Sequence, residues 1–277
     1  MIFSVSNIAW NPSDRLKIYK IMNQNNFKGL EIAPGLLFPS SINPLNPTQG
    51  ELKRVRRELI SKNLKLVSIQ SLLFKREDAF LFGNSYQRTK FMNAMIDVIK
   101  FAGRLEIPNL VFGSPKNRKI PINMKYNEAL KIAQDVFYKL GETACFEGTK
   151  ISIEANPVRY KTNFLNYTSD VISFVNILNN NGIDSIIDLG AIKINNNFSI
   201  IEELITTALP KLNHVHISEP DLKPAPKSPK EFIQIYKLLK KVGYSKSISI
   251  EMKYSSSSIK NILTSTDLIK RLIQKNG

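Results

Sequence analysis

Eight short runs rich in β-branched residues recur along the chain, each followed by a longer stretch whose apolar positions fall three and four residues apart. Strands buried on both faces read as β-branched runs, and the helices that cover them show a period near 3.6, so this order predicts a parallel sheet wrapped in helices. The predicted strands are Ile2–Ser6, Gly29–Ala33, Leu64–Gln70, Asn109–Gly113, Lys150–Ala155, Ser185–Leu189, His214–Ser218 and Ser247–Met252. Amphipathic segments such as Arg15–Asn25, Leu52–Lys62, Arg88–Leu105, Asn127–Phe146 and Lys230–Val242 lie between them. An open doubly wound sheet shares the alternation, but neither GxGxxG after the first strand nor GxxxxGK[ST] occurs. The reading is an α/β fold, a closed (β/α)₈ TIM barrel, formed as one domain over residues 1–277; such a barrel needs about 250 residues.

Composition narrows the setting. No apolar run approaches the roughly 20 residues that span a bilayer, so no membrane segment is expected. The opening MIFSVSNIAW reads as a strand rather than a secretory signal, and the single cysteine, Cys145, cannot form an internal disulfide. Both point to a cytoplasmic protein, with Cys145 expected to be a small buried hydrophobe in the helical run LGETACFEG. The net charge of +16 admits an anionic small substrate, but the lysines are spread through the helical segments, as on a solvated surface. Specific nucleic-acid binding is not expected.

Side chains alternate across a strand, and this sorts the polar residues. In ISIEAN, Ile151 and Ile153 face outward while Ser152 and Glu154 face the barrel interior; in ISIEMK, Ile248 and Ile250 face out and Ser249 and Glu251 face in. SIIDLG brings Asp188 to the end of the sixth strand, and HVHISE turns His214 and His216 inward on the seventh. Three carboxylates sharing a rim repel one another unless a cation sits among them. Glu154, Asp188, His216 and Glu251 are therefore the predicted ligands of one divalent metal ion, with His214 in a second layer. Oxygen-rich ligation with one imidazole suits Mn, Mg, Co or Zn. Glu31 and Gln70 face inward at strands two and three, Asn156 and Arg159 follow Glu154, and Lys253 lies two residues past Glu251; these five are the predicted substrate contacts. Lys116, Arg118 and Lys223 add positive charge near the expected mouth, whereas Trp10 and Phe38 read as packing residues.

The ordered set Glu154, Asp188, His216 and Glu251, with the phrases SNIAW and GLEIAP, resembles the sugar phosphate isomerase/epimerase family with its xylose isomerase-like barrel. The resemblance implies a small carbohydrate substrate, a single metal site, and a chain that forms homodimers in many similar barrels. It also implies a reaction in which the metal holds a carbonyl and the adjacent hydroxyl oxygen, stabilising an enediolate while Glu154 and Glu251 exchange protons with the substrate. Departures are informative. Ketose 3-epimerases of the family carry a histidine, an arginine and a second glutamate where this chain has Ala191, Leu222 and Tyr160, so the grip on a free ketose differs. The DNA-repair endonucleases of similar fold need several histidines, and this chain has two. A metal-dependent dehydratase of a polyol ketone and a non-catalytic barrel that binds a sugar or a partner are the alternatives.

Overall fold

A computed structural model describes residues 1–276. Its eight strands pair only in parallel and close into a barrel in sequence order, the first pairing with both the second and the eighth. They are β1 (Ile2–Ser6), β2 (Gly29–Ile32), β3 (Lys65–Ile69), β4 (Asn109–Phe112), β5 (Lys150–Ile153), β6 (Ile183–Asp188), β7 (Leu212–Ser218) and β8 (Ser247–Glu251). Covering helices follow in order: α1 (Arg15–Gln24), α2 (Gln49–Ser61), α3 (Ser85–Leu105), α4 (Tyr126–Phe146), α5 (Thr168–Leu178), α6 (Ile201–Ala208), α7 (Pro229–Lys241) and α8 (Ser258–Asn276). Short helices Pro34–Leu37 and Leu189–Ile194 interrupt the loops after β2 and β6. Among the described residues, no helix is long and apolar enough to cross a membrane.

The helices begin where local chemistry satisfies their first amide groups. Thr48 and Glu51 form a reciprocal capping box on α2, and Asn84 with Gln87 does the same for α3, starting it at Ser85, ahead of the apolar periodicity at Arg88. Ser228 caps α7 with Pro229 in its first turn.

Outward strand residues such as Ile151, Ile153, Val215, Ile248 and Ile250 are buried under the helices. An aromatic chain runs through this layer, Phe91 to Phe112 to Phe137 to Phe174, with ring centroids 5.0 to 5.9 Å apart in edge-on contacts. Such geometry adds to simple area burial because ring edges and faces carry opposite partial charge. Trp10 and Phe38 lie in the core. Cys145 departs from expectation: it is exposed on α4, because the buried stripe of that helix runs through Leu140, Gly141 and Ala144 and leaves the next position outside.

Inside, the barrel is polar. Asn109 donates to Ser68 at 2.9 Å and accepts from Asn213 at 2.7 Å and from Ser152, while Ser4 pairs with Ser249. Buried polar groups cost free energy unless paired, and this network pairs them across strands. It forms the floor beneath the rim residues.

Candidate metal centre

Four strand ends deliver the predicted ligands to one place. Asp188 and Glu251 are the last residues of β6 and β8, His216 lies two residues from the end of β7, and Glu154 immediately follows β5. Ligand atoms of Glu154, Asp188, His216 and Glu251 all lie within 4.8 Å of one another. His216 Nδ1 stands 3.4 Å from Glu154 Oε1, 3.5 Å from Asp188 Oδ2 and 3.3 Å from Glu251 Oε2. It is fully buried and makes no hydrogen bond. A buried ring nitrogen without a partner, facing three carboxylates at these spacings, fits a divalent ion whose bonds to each donor are about 2.0 to 2.2 Å.

The opposite ring nitrogen explains why Nδ1 is the free one. His216 Nε2 donates to Glu31 Oε1 at 3.0 Å, fixing the tautomer and the ring plane. Glu31 is wholly buried and lies behind the histidine, outside the residues that line the pocket. It faces the barrel interior, as strand alternation predicts, and there it meets both inward histidines of β7. His214 stands in the second layer as expected, its two ring nitrogens 2.7 and 2.9 Å from the hydroxyls of Ser247 and Ser249 and its Nε2 3.3 Å from Glu31.

Each carboxylate is held separately. Asp188 Oδ2 accepts from Ser218 Oγ at 2.7 Å and its Oδ1 from the amide of Ala191, so it also caps the short helix after β6. Glu154 Oε2 accepts from Asn156 Nδ2 at 2.9 Å and crowds against Gly113, where an added Cβ would stand 2.5 Å from that oxygen. Arg118 Nη2 donates to the backbone carbonyl of Glu154 at 2.8 Å, and its guanidinium lies 5.7 Å from the Phe112 ring centre. Arg118 is thus a buried anchor for the end of β5 and not a cation at the mouth; burial pulls its pKa down to about 10.

The electrostatics follow from crowding. Burial, with repulsion from Glu154 and Asp188, pushes the Glu251 carboxyl up to about 7 against the opposing pull of His216. Burial disfavours a charged His216, yet Glu31, Glu251, Asp188 and Glu154 hold it well above the usual imidazole range. Desolvation of Glu31 is likewise outweighed by its two histidines, which keep its carboxyl below the ordinary range. Without metal, a proton on His216 takes over the neutralising role among the three acids.

Glu154, Asp188 and Glu251 line a pocket of about 360 Å³ that also includes Asn156, Tyr160, Glu219 and Asp221. Burial, reinforced by Asp188 and Glu154, pushes the Tyr160 phenol up to about 12. Asn156 is the one predicted substrate contact that reaches the pocket. Gln70 is buried and bonded to Ser6, and Arg159 pairs with Asp221 at 2.9 Å on the rim. Lys253 is exposed outside the pocket, since β8 ends at Glu251 and strand alternation no longer governs a residue two places on. Lys116 and Lys223 are also exposed outside it. Ser218 was not anticipated, although it lies two residues past His216 and on the same face of β7.

The xylose isomerase-like TIM barrel family matches residues 20–272, and the chain belongs to that family. Among solved structures it is similar to a D-psicose 3-epimerase from Clostridium cellulolyticum H10, at 16% identity, with 99% of this chain and 98% of that one covered and a TM-score of 0.78. A 3-keto-D-glucoside 4-epimerase from E. coli matches at 15% identity over 99% of both chains with a TM-score of 0.76. An L-ribulose 3-epimerase matches at 15% identity over 100% of this chain and 94% of the other, with a TM-score of 0.78. Compared by sequence with curated proteins, the chain matches none.

Proposed function

We propose that this protein is a divalent-metal-dependent sugar or sugar-phosphate isomerase or epimerase that removes and returns a proton next to a carbonyl group. The unpartnered Nδ1 of His216, buried against three carboxylates that line a pocket of monosaccharide scale, carries this reading. The ion, when bound, supplies Lewis-acid polarisation of a carbonyl and a neighbouring hydroxyl oxygen. Glu154 enters from β5 and Glu251 from β8, with β6 and β7 between them, so the two carboxylates approach a substrate from different sides. That placement suits loss of a proton from one face and its return on the other. Asp188, with both oxygens engaged by Ala191 and Ser218, serves coordination alone.

Substrate recognition falls to groups the pocket exposes. Asn156 fixes Glu154 through its Nδ2 while its buried Oδ1 has no partner, which leaves that oxygen to accept from a sugar hydroxyl. Tyr160 stays protonated across the neutral range and offers a phenolic donor. The epimerase names of the similar structures support the reaction class. Incubation with a panel of ketoses, aldoses and their phosphates in D₂O tests it: deuterium enters at a carbon beside a carbonyl in the wild type and not in Glu154→Gln or Glu251→Gln. Panel-wide silence from metal-loaded protein contradicts the reading.

A further inference from the structure

A second and larger cleft, of about 1280 Å³, opens at the same end of the barrel. It starts at Ile8, Ala33 and Ser71, which follow the ends of β1, β2 and β3, and continues outward between the loop after β2 and the flank of α3. Its volume exceeds the roughly 300 to 1,000 Å³ of ordinary small-molecule pockets, whereas the metal pocket suffices for one sugar ring. Along α3, Asp97, Lys100 and Arg104 share the face that lines the cleft and extend it by about 10 Å.

The charges there are unequal in their engagements. Arg76 pairs with Asp97 at 3.5 Å, and Arg104 is spent on Asn46 and the carbonyl of Leu45. Lys75 and Lys100 have no carboxylate within ion-pair distance among the described residues. Beside them the Phe74 ring is 74% exposed, with Lys75 Nζ 5.7 Å from its centre, and Ile42 is fully exposed. Two ammonium groups free of carboxylates, one of them set against an exposed aromatic ring, form a site for phosphates joined to a planar group.

We propose that this cleft binds the nucleoside diphosphate end of an extended substrate, a keto sugar carried as its nucleoside diphosphate ester. The phosphates lie on Lys75 and Lys100, the base lies against Phe74, and the sugar reaches the metal pocket. The sugar's placement rests on the isomerase or epimerase reading above; the anion site itself does not.

Calorimetric titration of the full-length protein with ADP, in excess EDTA so that no metal bridges the phosphates, tests the site. Saturable binding is expected, weakened at least about tenfold in Lys75→Ala/Lys100→Ala and clearly weakened in Phe74→Ala. The control Lys131→Ala/Lys139→Ala, which removes equal charge from the exposed face of α4, retains it. Binding that fails to saturate, or weakens equally in the control, overturns the proposal as mere attraction to a basic surface. Proton exchange in D₂O is read separately, so a protein that exchanges substrate protons without binding ADP loses only the cleft assignment, and the converse result loses only the reaction.

Discussion

Glu31 Oε1 stands 3.0 Å from His216 Nε2, while the other ring nitrogen of the same histidine faces Glu154, Asp188 and Glu251 at 3.3 to 3.5 Å. One buried carboxylate therefore aims the imidazole at the centre and makes it more basic. Glu31→Gln keeps the shape and removes the charge, and it is expected to weaken metal affinity about 10- to 100-fold with the fold intact. A chelator-competition titration reads this directly; unchanged affinity would show that His216 is oriented by the barrel alone.

Metal uptake is expected to depend on pH. Glu251, held up to about 7, and His216, held well above its usual range, are protonated in metal-free protein and must release those protons to ligate. Apparent affinity thus rises as pH increases through about 7. Stability takes the opposite sign without metal: both folded-state pKa values are raised, so their contributions are full below the unfolded values and are lost as pH climbs through the folded ones. Glu31, with a lowered pKa, contributes stability above its unfolded value and loses it only in acid. Melting curves of EDTA-treated protein should decline as pH rises from about 5 through about 7, with His216 extending the decline above its usual range, and saturating metal should flatten that slope. A flat metal-free profile would contradict the crowded-acid description.

Gly113 is required by a close approach rather than by backbone conformation. An alanine Cβ would lie 2.5 Å from Glu154 Oε2 and displace that carboxylate. Because misplacement of a reacting group by about 1 Å can cost on the order of a hundredfold in rate, Gly113→Ala should lower proton exchange by about that factor. The melting temperature should change far less than the rate. Equal exchange in variant and wild type would show that Glu154 has room to move without loss.

Far from the site, at the amino end of the strands, Asp184 is 1% exposed and accepts from Lys150 at 2.9 Å, with Lys246 at 3.7 Å. Asp184→Asn removes the charge these lysines face, at an expected loss of about 1 to 3 kcal/mol in chemical denaturation. Metal stoichiometry should stay the same, which separates a stability role from a site role.

Much of this was legible from period and position. The alternation of Ile151, Ser152, Ile153 and Glu154 predicts which residues face the barrel, and the same logic places Asp188, His216 and Glu251 beside Glu154. It fails where the strand stops: Lys253 lies past the end of β8 and is exposed outside the pocket. It also gives direction without depth, since Glu31 faces inward as read but meets the histidines of β7 rather than lining the pocket. Arg118 was misplaced because its burial depends on Phe112 and the carbonyl of Glu154, contacts distant in sequence. The capping pair Asn84 and Gln87 was present in the sequence, but periodicity begins three residues later and hid the start of α3.

The most direct measurement is the metal content of purified protein beside His216→Ala, after equal exposure to Mn²⁺, Mg²⁺, Co²⁺ and Zn²⁺ and removal of excess. The account predicts one ion per chain in the wild type and none held by the variant, both being folded by circular dichroism. A wild type that takes up none of the four ions would contradict the metal centre and with it the proton-transfer chemistry assigned to Glu154 and Glu251.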